Sequence, residues 1–404
     1  MTAATSLALV GQVLTVIGIV ALVPAAVLLI EVLAALVPAR RADQAPAAAR
    51  RPRVAILVPA HDEANGIAAT VRAIAAQLGA GDRVVVVADN CSDATAEVAA
   101  ASGAEVAVRD DAERRGKGYA LDFGVRHLER SPPEVVVVVD ADCELHPGSV
   151  ARLALQCART GRPAQALDLM RAPAGAGLKA RIAEFAWVVK NQVRPLGSRR
   201  LGLPCQLMGT GMAFPWTVIR EAPLASGHIV EDLRLGLDLA AAGRAPTFCP
   251  GALVTSFFPS HAQGVAEQRT RWERGHVGVI VREAPRAFWR SLVRGRPALA
   301  AMALDVCVPP LALFVLLLVA QAAIDSLLWA AGGSAMPLAL ALAALAIVAG
   351  ATLLAWLGFG RRIVSLAELL GAPLYVLAKL PLYARFLRRG KREWVRARRD
   401  HRHD

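Results

Sequence analysis

The chain has 404 residues, with 46 Lys and Arg against 33 Asp and Glu, a formal net charge of +13 and a mean hydropathy of +0.43. This composition excludes a disordered chain and a small disulfide-stapled domain. The six cysteines show no CxxC spacing, so neither a zinc site nor a disulfide framework is indicated, and we expect the soluble part in a reducing cytoplasm. Apolar residues collect in long charge-poor runs towards both ends, which predicts an integral membrane protein with a soluble middle.

The first apolar run, residues 6–37, contains a single charged residue, Glu31. It is longer than the core of a signal peptide and more apolar than an ordinary buried helix, so we predict an uncleaved transmembrane anchor over residues 1–39. Five arginines follow between residues 40 and 53. By the positive-inside rule they place the N-terminus outside and the middle of the chain, residues 40–295, in the cytoplasm.

Two further apolar runs, residues 297–331 and 336–360, are each long enough to cross a membrane. Arginines precede the first and follow the second, which predicts two transmembrane helices over residues 296–360 joined by an external turn. Residues 361–404 are predicted to remain inside. Their first part, to residue 386, is expected to lie along the membrane interface, and the basic tail is expected to contact anionic lipid headgroups instead of nucleic acid.

The soluble middle begins with four short β-branched runs, at residues 53–59, 83–88, 104–109 and 134–139. Helix-like stretches separate them, at residues 63–78, 93–101 and 117–128. Strands without polar alternation are typical of a sheet covered on both faces. The alternation of strand and helix predicts an α/β fold with a mostly parallel sheet and right-handed crossovers.

Acid-rich loops follow three of these strands, at residues 61–63, 89–93 and 140–142. In an open parallel sheet, ligands bind outside the carboxyl ends of the strands, so these loops should converge on one edge. Ordinary helix capping accounts equally well for Asp93 and Asp62. It does not account for Asp140 and Asp142, whose adjacent charges predict a bound divalent cation, Mg²⁺ or Mn²⁺, that bridges to a substrate diphosphate.

Two other nucleotide-binding classes are disfavoured by missing motifs. The strand that ends at Asp140 could belong to a Walker-type ATPase, but no GxxxxGK[ST] sequence is present, since Asp111 stands five residues before Gly116 and Gly118 follows Lys117. The first strand is not followed by GxGxxG, which counts against a dinucleotide-dependent oxidoreductase.

Two later motifs complete the pattern. Glu231 and Asp232 open an amphipathic helix, and the sequence QRTRW at residues 268–272 lies shortly before the second apolar run. Taken singly, acids at a helix start favour the helix dipole, and an Arg-Trp pair beside a membrane is a common interface anchor. Their order after the acid-rich loops, between one leading and two trailing apolar runs, favours a catalytic role.

With these motifs in this order, the sequence resembles the membrane-bound family 2 glycosyltransferases. That group has the GT-A nucleotide-sugar fold and includes cellulose, chitin and hyaluronan synthases and ceramide glucosyltransferases. The resemblance covers nearly the whole chain. The segments that carry it are VPAHDEANG (58–66), ADNCSD (88–93), RRGKGYAL (114–121), VDAD (139–142), GTG (209–211), VED (230–232) and QRTRW (268–272).

The resemblance implies a set of site residues. The nucleotide sugar would contact seven of them: Pro59, His61, Glu63, Asp89, Asp93, Lys117 and Asp140. The metal would be bound by Asp142 with Asp140, and Asp232 would be the general base beside Glu231. Gln268, Arg271 and Trp272 would frame the diphosphate and the acceptor. The chain departs from the common pattern at His61, Val230 and the Asn90-Cys91 pair, which affects the expected nucleotide preference and removes no carboxylate from the DxD pair or from Glu231-Asp232.

The function implied is an inverting, metal-dependent transfer of a sugar from a nucleotide sugar, expected to be UDP-linked, to a membrane-associated acceptor in envelope glycolipid or exopolysaccharide synthesis. One alternative is a processive polysaccharide synthase that exports its polymer, with a homo-oligomer or export partners. A catalytically inactive membrane scaffold is another. A transporter is disfavoured, because three spans with few intramembrane acids build little of a conduit.

Overall fold

The computed structural model describes residues 3–38, 50–228, 230–258 and 262–372, with the backbone alone at residues 3–4 and 262–271. The four predicted strands are present and parallel, in the spatial order β3-β2-β1-β4. Their bounds are Val54–Ala60 (β1), Arg83–Asp89 (β2), Glu105–Arg109 (β3) and Val135–Val138 (β4). The crossover helices are Ile67–Ala75 (α2), Thr95–Ala101 (α3) and Lys117–Leu128 (α4). The α/β prediction is confirmed.

Four further strands extend the sheet to the order β3-β2-β1-β4-β7-β6-β8-β5. They are Glu144–Leu145 (β5), Ala164–Arg171 (β6), Met212–Pro215 (β7) and Thr247–Phe257 (β8). Strand β7 runs antiparallel to β4 and β6, and β5 runs antiparallel to β8, while β6 and β8 are parallel. Four of the seven described strand pairings are therefore parallel, and the sheet is mixed but mostly parallel as expected.

Helices cover both faces of the sheet, which explains why its strands are apolar without alternation. One buried layer lies between the sheet and α2, α3 and Ser149–Thr160 (α5). The opposite layer is formed with α4, Trp216–Ile219 (α8) and Glu231–Ala241 (α9). With both faces filled, the loops at the carboxyl edge of the sheet are the part left open to a ligand.

A long helical element, residues 178–200, connects the sheet to the long apolar helices. It consists of Leu178–Val188 (α6), a π-helical turn at Val189–Val193, and Arg194–Arg200 (α7). Helix α7 packs against the N-terminal helix Ala3–Leu36 (α1), closely enough that Gly197 lies against the backbone of Glu31. A π turn inside a helix often marks a functional position, and this one carries Lys190 into the site described below.

Among the described residues, three helices are long and apolar enough to span a membrane: α1, Leu311–Ala330 (α13) and Met336–Ala355 (α14), the last continued by a π turn to Gly360. The apolar run at 297–331 is not one helix. Pro297–Val306 (α12) is separate from α13, because the pair Pro309-Pro310 cannot continue the hydrogen bonds of a helix. Helix α12 packs against α9 and α1, so only α13 supplies the predicted second crossing.

Three shorter elements complete the described chain: Ala262–Arg282 (α10) and Ala284–Arg294 (α11) precede α12, and Leu366–Leu370 (α15) follows α14. The predicted interfacial segment at 363–386 is described only as far as residue 372. The basic tail lies outside the described residues, as do the two arginines at 40 and 41.

Candidate active site

A cavity of about 400 Å³ opens at the carboxyl edge of the sheet. Its wall is made by the loops after β1, β2 and β4, by strand β6, by the π turn, and by the N-terminus of α9. The predicted acid-rich loops therefore do converge on one place. The same cavity is also lined by Leu28 of α1 and by residues 308–312, which join α12 to the start of α13.

The DxD pair follows β4 directly. Ligand atoms of Asp140, Asp142 and Cys143 all lie within 4.8 Å of one another, close enough to hold one cation. Burial raises the pKa of the Cys143 thiol well above its ordinary value, so its sulfur stays protonated and is a poor metal ligand. The two carboxylates are the hard oxygen donors that Mg²⁺ and Mn²⁺ prefer, and this donor set fits such an ion.

Lys117, at the start of α4, lies against this pair. Its Nζ donates to the Asp140 carboxylate and, at 2.9 Å, to the carbonyl oxygen of Gly209. Burial alone would lower the pKa of Lys117, but the surrounding carboxylates, with Asp140 first and Glu231 next, raise the pKa above its ordinary value. Lys117 is therefore a fixed cation at the place where an anionic ligand would meet the metal site.

Glu231 and Asp232 form the first turn of α9 on the opposite wall. Gly209 separates them from Lys117: a Cβ at this position would lie 3.5 Å from Asp232 Oδ2 and 3.6 Å from Lys117 Nζ. Burial and the neighbouring Asp232 charge raise the pKa of Glu231 to about 7. Burial also raises the pKa of Asp232. Asp232 is thus a carboxylate whose raised pKa suits it to accept a proton.

The predicted nucleotide residues divide into two groups. Pro59, His61, Glu63 and Asp89 line the cavity. The Asp89 carboxylate is oriented by Arg109, whose Nη1 donates to Oδ1 at 2.5 Å, and His61 Nδ1 lies 2.7 Å from the Asp89 carbonyl oxygen.

Asp93 does not line this cavity. Its carboxylate accepts from the backbone N–H groups of Thr95, at 3.0 Å, and Ala64, at 3.2 Å, and so ties together the loops after β1 and β2. This role is structural, but it is not helix capping, because the N-cap of α3 is Ala94.

The QRTRW segment lies on α10. Trp272 lines the cavity, and its ring centroid is 5.2 Å from that of Trp187, which also contacts Phe258 edge-on. These rings form an aromatic wall on which a sugar could stack. Gln268 and Arg271 belong to the same helix, but their side chains lie outside the described part of the chain.

Four charged cavity residues escaped the sequence analysis: Asp168, Lys190, Arg194 and Glu273. Asp168 on β6 is buried, its Oδ2 accepts from Asn191 Nδ2 at 2.9 Å, and burial raises its pKa to about 7. Lys190, on the π turn, has its Nζ 5.3 Å from the ring centroid of Trp187, and burial lowers its pKa. In the sequence, the signal for Lys190 was a Lys-Asn pair inside the apolar run FAWVVKNQV. The signal for Asp168 was a lone acid inside a buried strand.

A buried ion cluster fixes the membrane-side wall of the cavity. Arg194 Nε donates to Glu31 of α1 at 2.7 Å, and its Nη2 donates to both the carbonyl, at 2.6 Å, and the carboxylate of Asp305 on α12. Arg194 itself lines the cavity. Three elements from distant parts of the chain are thereby held together at the point where the site meets the spanning helices.

Comparisons with known proteins establish the family and the fold. The model of a family described as "Glycosyltransferase like family 2" matches residues 52–275. The solved structure of the mannosyltransferase PcManGT from Pyrobaculum calidifontis, in complex with GDP-Man and Mn²⁺, aligns at a TM-score of 0.53 and 19% identity over 94% of this chain and 99% of that one. This likeness confirms the expected GT-A fold, with apolar helices included in the alignment.

A second structure is glucosyl-3-phosphoglycerate synthase from Mycobacterium tuberculosis, in complex with Mn²⁺, uridine diphosphate and phosphoglyceric acid. It aligns at a TM-score of 0.38 and 20% identity over 55% of this chain and 76% of that one. No curated protein sequence matched the chain.

Proposed function

Since the chain belongs to glycosyltransferase family 2, whose model matches more than half of its residues, we propose that it transfers a sugar from a nucleoside diphosphate donor to a membrane-associated acceptor. One observation carries the proposal. A single cavity contains the DxD carboxylates, the Asp232 carboxylate and the wall formed by the spanning helices. Donor, base and acceptor would therefore meet in one place.

The chemistry proposed is a single displacement with inversion. The acceptor hydroxyl attacks the anomeric carbon, and its proton passes to Asp232. The new carbon–oxygen bond forms as the bond to the diphosphate breaks, and the nucleoside diphosphate leaves with the electron pair. An α-linked donor would then give a β-linked product. Lys117, beside Asp140, is placed to contact the negative charge of the leaving diphosphate.

Asp140 and Asp142 would hold the divalent cation, Mg²⁺ or Mn²⁺. When bound, such an ion neutralises diphosphate charge and favours its departure. Pro59, His61, Glu63 and Asp89 lie at the end of the cavity where the nucleoside would bind, with the Asp89 carboxylate oriented by Arg109. A UDP-sugar is the proposed donor, as the resemblance implies.

The membrane-side wall supports a lipid-linked acceptor. Leu28 lies on a candidate span, and residues 308–312 lead into another, yet both line the cavity that contains Asp232. An amphiphile could remain anchored in the bilayer while its polar end reaches the base. The arginines that flank the spans support a cytoplasmic position for this cavity, on the side where nucleotide sugars are made.

The metal assignment can be tested directly. The purified chain is assayed for release of nucleoside diphosphate with UDP- and GDP-sugars and a lipid extract. We expect EDTA to stop transfer, and Asp142→Ala to abolish it without a change in thermal unfolding, because a ligand at a sheet edge is lost and no core residue is removed. The control is Asp122→Ala, which removes a surface ion pair with Arg126 on α4. Full activity of Asp142→Ala with unchanged metal dependence would exclude this site.

A further inference from the structure

Helix α11 has three distinct faces. Its small residues Ala284, Ala287 and Ser291 are buried. The two alanines belong to a buried cluster with α9, α10 and α12, which includes Leu233 and Met302. This face fixes α11 on the soluble domain, against the same helix whose first turn carries the catalytic acids.

The second face is apolar and open. Four large side chains on α11 are exposed: Phe288 by 37%, Trp289 by 67%, Leu292 by 59% and Val293 by 70%. At 3.6 residues per turn they form one continuous stripe next to the buried face. Isolated exposed apolar residues are ordinary, but four on two turns of one helix mark a surface that is covered in use.

The third face is basic. Arg286, Arg290 and Arg294 follow one another at four-residue spacing, so they lie in one row beside the apolar stripe, and all three are exposed. A partner for α11 must therefore offer hydrocarbon and negative charge side by side. The headgroup region of an anionic bilayer leaflet does this, and a helix with Trp, Phe and Leu on one face and arginines on another is typical of such a surface.

The position of α11 in the chain supports the same partner. The helix ends at Gly295, and α12 then leads through Pro309-Pro310 into the span α13. Helix α12 packs on α1, the other span that reaches the cavity. The open face of α11 is thus continuous with a part of the molecule that enters the membrane.

From these observations we infer that α11 is a lipid-binding element that lies in the cytoplasmic headgroup layer, with Phe288, Trp289, Leu292 and Val293 inserted among the acyl chains. Because its buried face packs on α9, this contact sets the height of the cavity above the bilayer. The inference does not depend on the proposed function, since it concerns only where the helix lies.

The test uses the full-length chain in liposomes that contain phosphatidylglycerol, with Cys91 and Cys307 replaced by serine because the other four cysteines are buried. Leu292→Cys is labelled with the environment-sensitive dye NBD. The matched control is Val108→Cys, 65% exposed on β3 at the far edge of the sheet. We expect the dye at 292 to emit at shorter wavelength and to be quenched by lipids that carry a nitroxide near the headgroup, while the dye at 108 is not.

A water-soluble maleimide provides an independent readout. We expect it to modify the cysteine at 292 about tenfold more slowly than the one at 108 in liposomes, because apolar burial in lipid protects it. Equal modification rates without lipid quenching would overturn the inference. Protection that rises with protein concentration, again without lipid quenching, would also overturn it and would assign the face to a second copy of the chain.

Discussion

At the scale of single residues, the site depends on how neighbouring charges set the ionisation of Asp232. Glu231 is adjacent in sequence, and Lys190 and Lys117 face the same cavity. A negative neighbour makes a buried carboxylate harder to ionise, and a positive one makes it easier. The two effects can be separated by substitution, because Glu231 and Lys190 come from different elements.

The first prediction concerns the pH dependence of turnover. A base must be ionised, so kcat should fall as the pH decreases through the pKa of Asp232, which burial raises above its ordinary value. Glu231→Gln removes a negative charge and should lower the pKa of Asp232, which moves the acid limb of the kcat profile to lower pH. Asp232→Asn should abolish turnover yet still bind donor. An acid limb that moves to higher pH in Glu231→Gln would contradict this.

A second prediction concerns Lys190. Its positive charge lowers the pKa of the Asp232 carboxyl, so Lys190→Met should move the acid limb of the kcat profile to higher pH and reduce the rate at pH 7. Lys190→Arg keeps the charge and should restore most of the rate. Lys179→Met, at an exposed position on α6, is the control. If the methionine variant lost activity equally at all pH values, Lys190 would have only a structural role.

Two of the residues that sequence analysis missed, Asp168 and Lys190, lack the local pattern that marks the predicted ones. Asp140 and Asp142 stand out because two acids end an apolar strand, and Asp232 because it opens a helix beside Glu231. Asp168 and Lys190 are single charges within apolar segments. Their relevance depends on β6 lying next to β7 and on a π turn in the adjoining helix, neither of which the local sequence specifies.

At the scale of elements, the sequence again predicts the parts that have a clear local pattern and misses those that do not. Strands β1 to β4 were predictable because each is a short β-branched run bounded by turn residues. The mixed half of the sheet was not, since β7 has only four residues and β5 only two. The break between α12 and α13 had a visible signal, Pro309-Pro310, which the length and hydropathy of the run concealed.

The contact between α1 and α7 gives an element-scale prediction. A Cβ on Gly197 would lie 1.9 Å from the carbonyl oxygen of Glu31, and because that atom is backbone, one helix must move. We expect Gly197→Ala to destabilise the protein by about 1–3 kcal/mol, measured as a lower Tm in detergent. Gly350→Ala on α14 is the control, since no atom lies within 4 Å of its added Cβ, and its Tm should not fall. Equal Tm values for both variants would show that the helices do not pack as described.

At the scale of the whole molecule, the soluble domain and the spans are joined through the cavity. Arg194 connects α7 to Glu31 and Asp305, and this buried cluster is costly to disrupt because the loss of one partner leaves an unpaired charge. The candidate spans α1 and α13 therefore contribute to the wall of the cavity. The number and packing of the candidate spans also bear on whether the protein could export a long glycan.

The last prediction is that the purified protein adds one or a few sugars to a lipid-linked acceptor and makes no long polymer. A channel for a hydrated glycan needs a polar wall shielded from hydrocarbon by surrounding helices. The described residues contain three candidate spans, which pack on one another, and two of them, α1 and α13, also line the cavity.

The QRTRW motif argues the other way, because it is of the kind found in polymerising relatives, and an oligomer could supply further helices. Incubation of the purified protein with labelled UDP-sugar and a lipid extract distinguishes the addition of a few sugars from the synthesis of a polymer. Thin-layer chromatography and mass spectrometry should show products the size of a lipid with few sugars, and high-molecular-weight glycan made by the protein alone would contradict the prediction. Because Leu28 and residues 308–312 line the same cavity as Asp232, a lipid too short to anchor beside them should be the poorer acceptor.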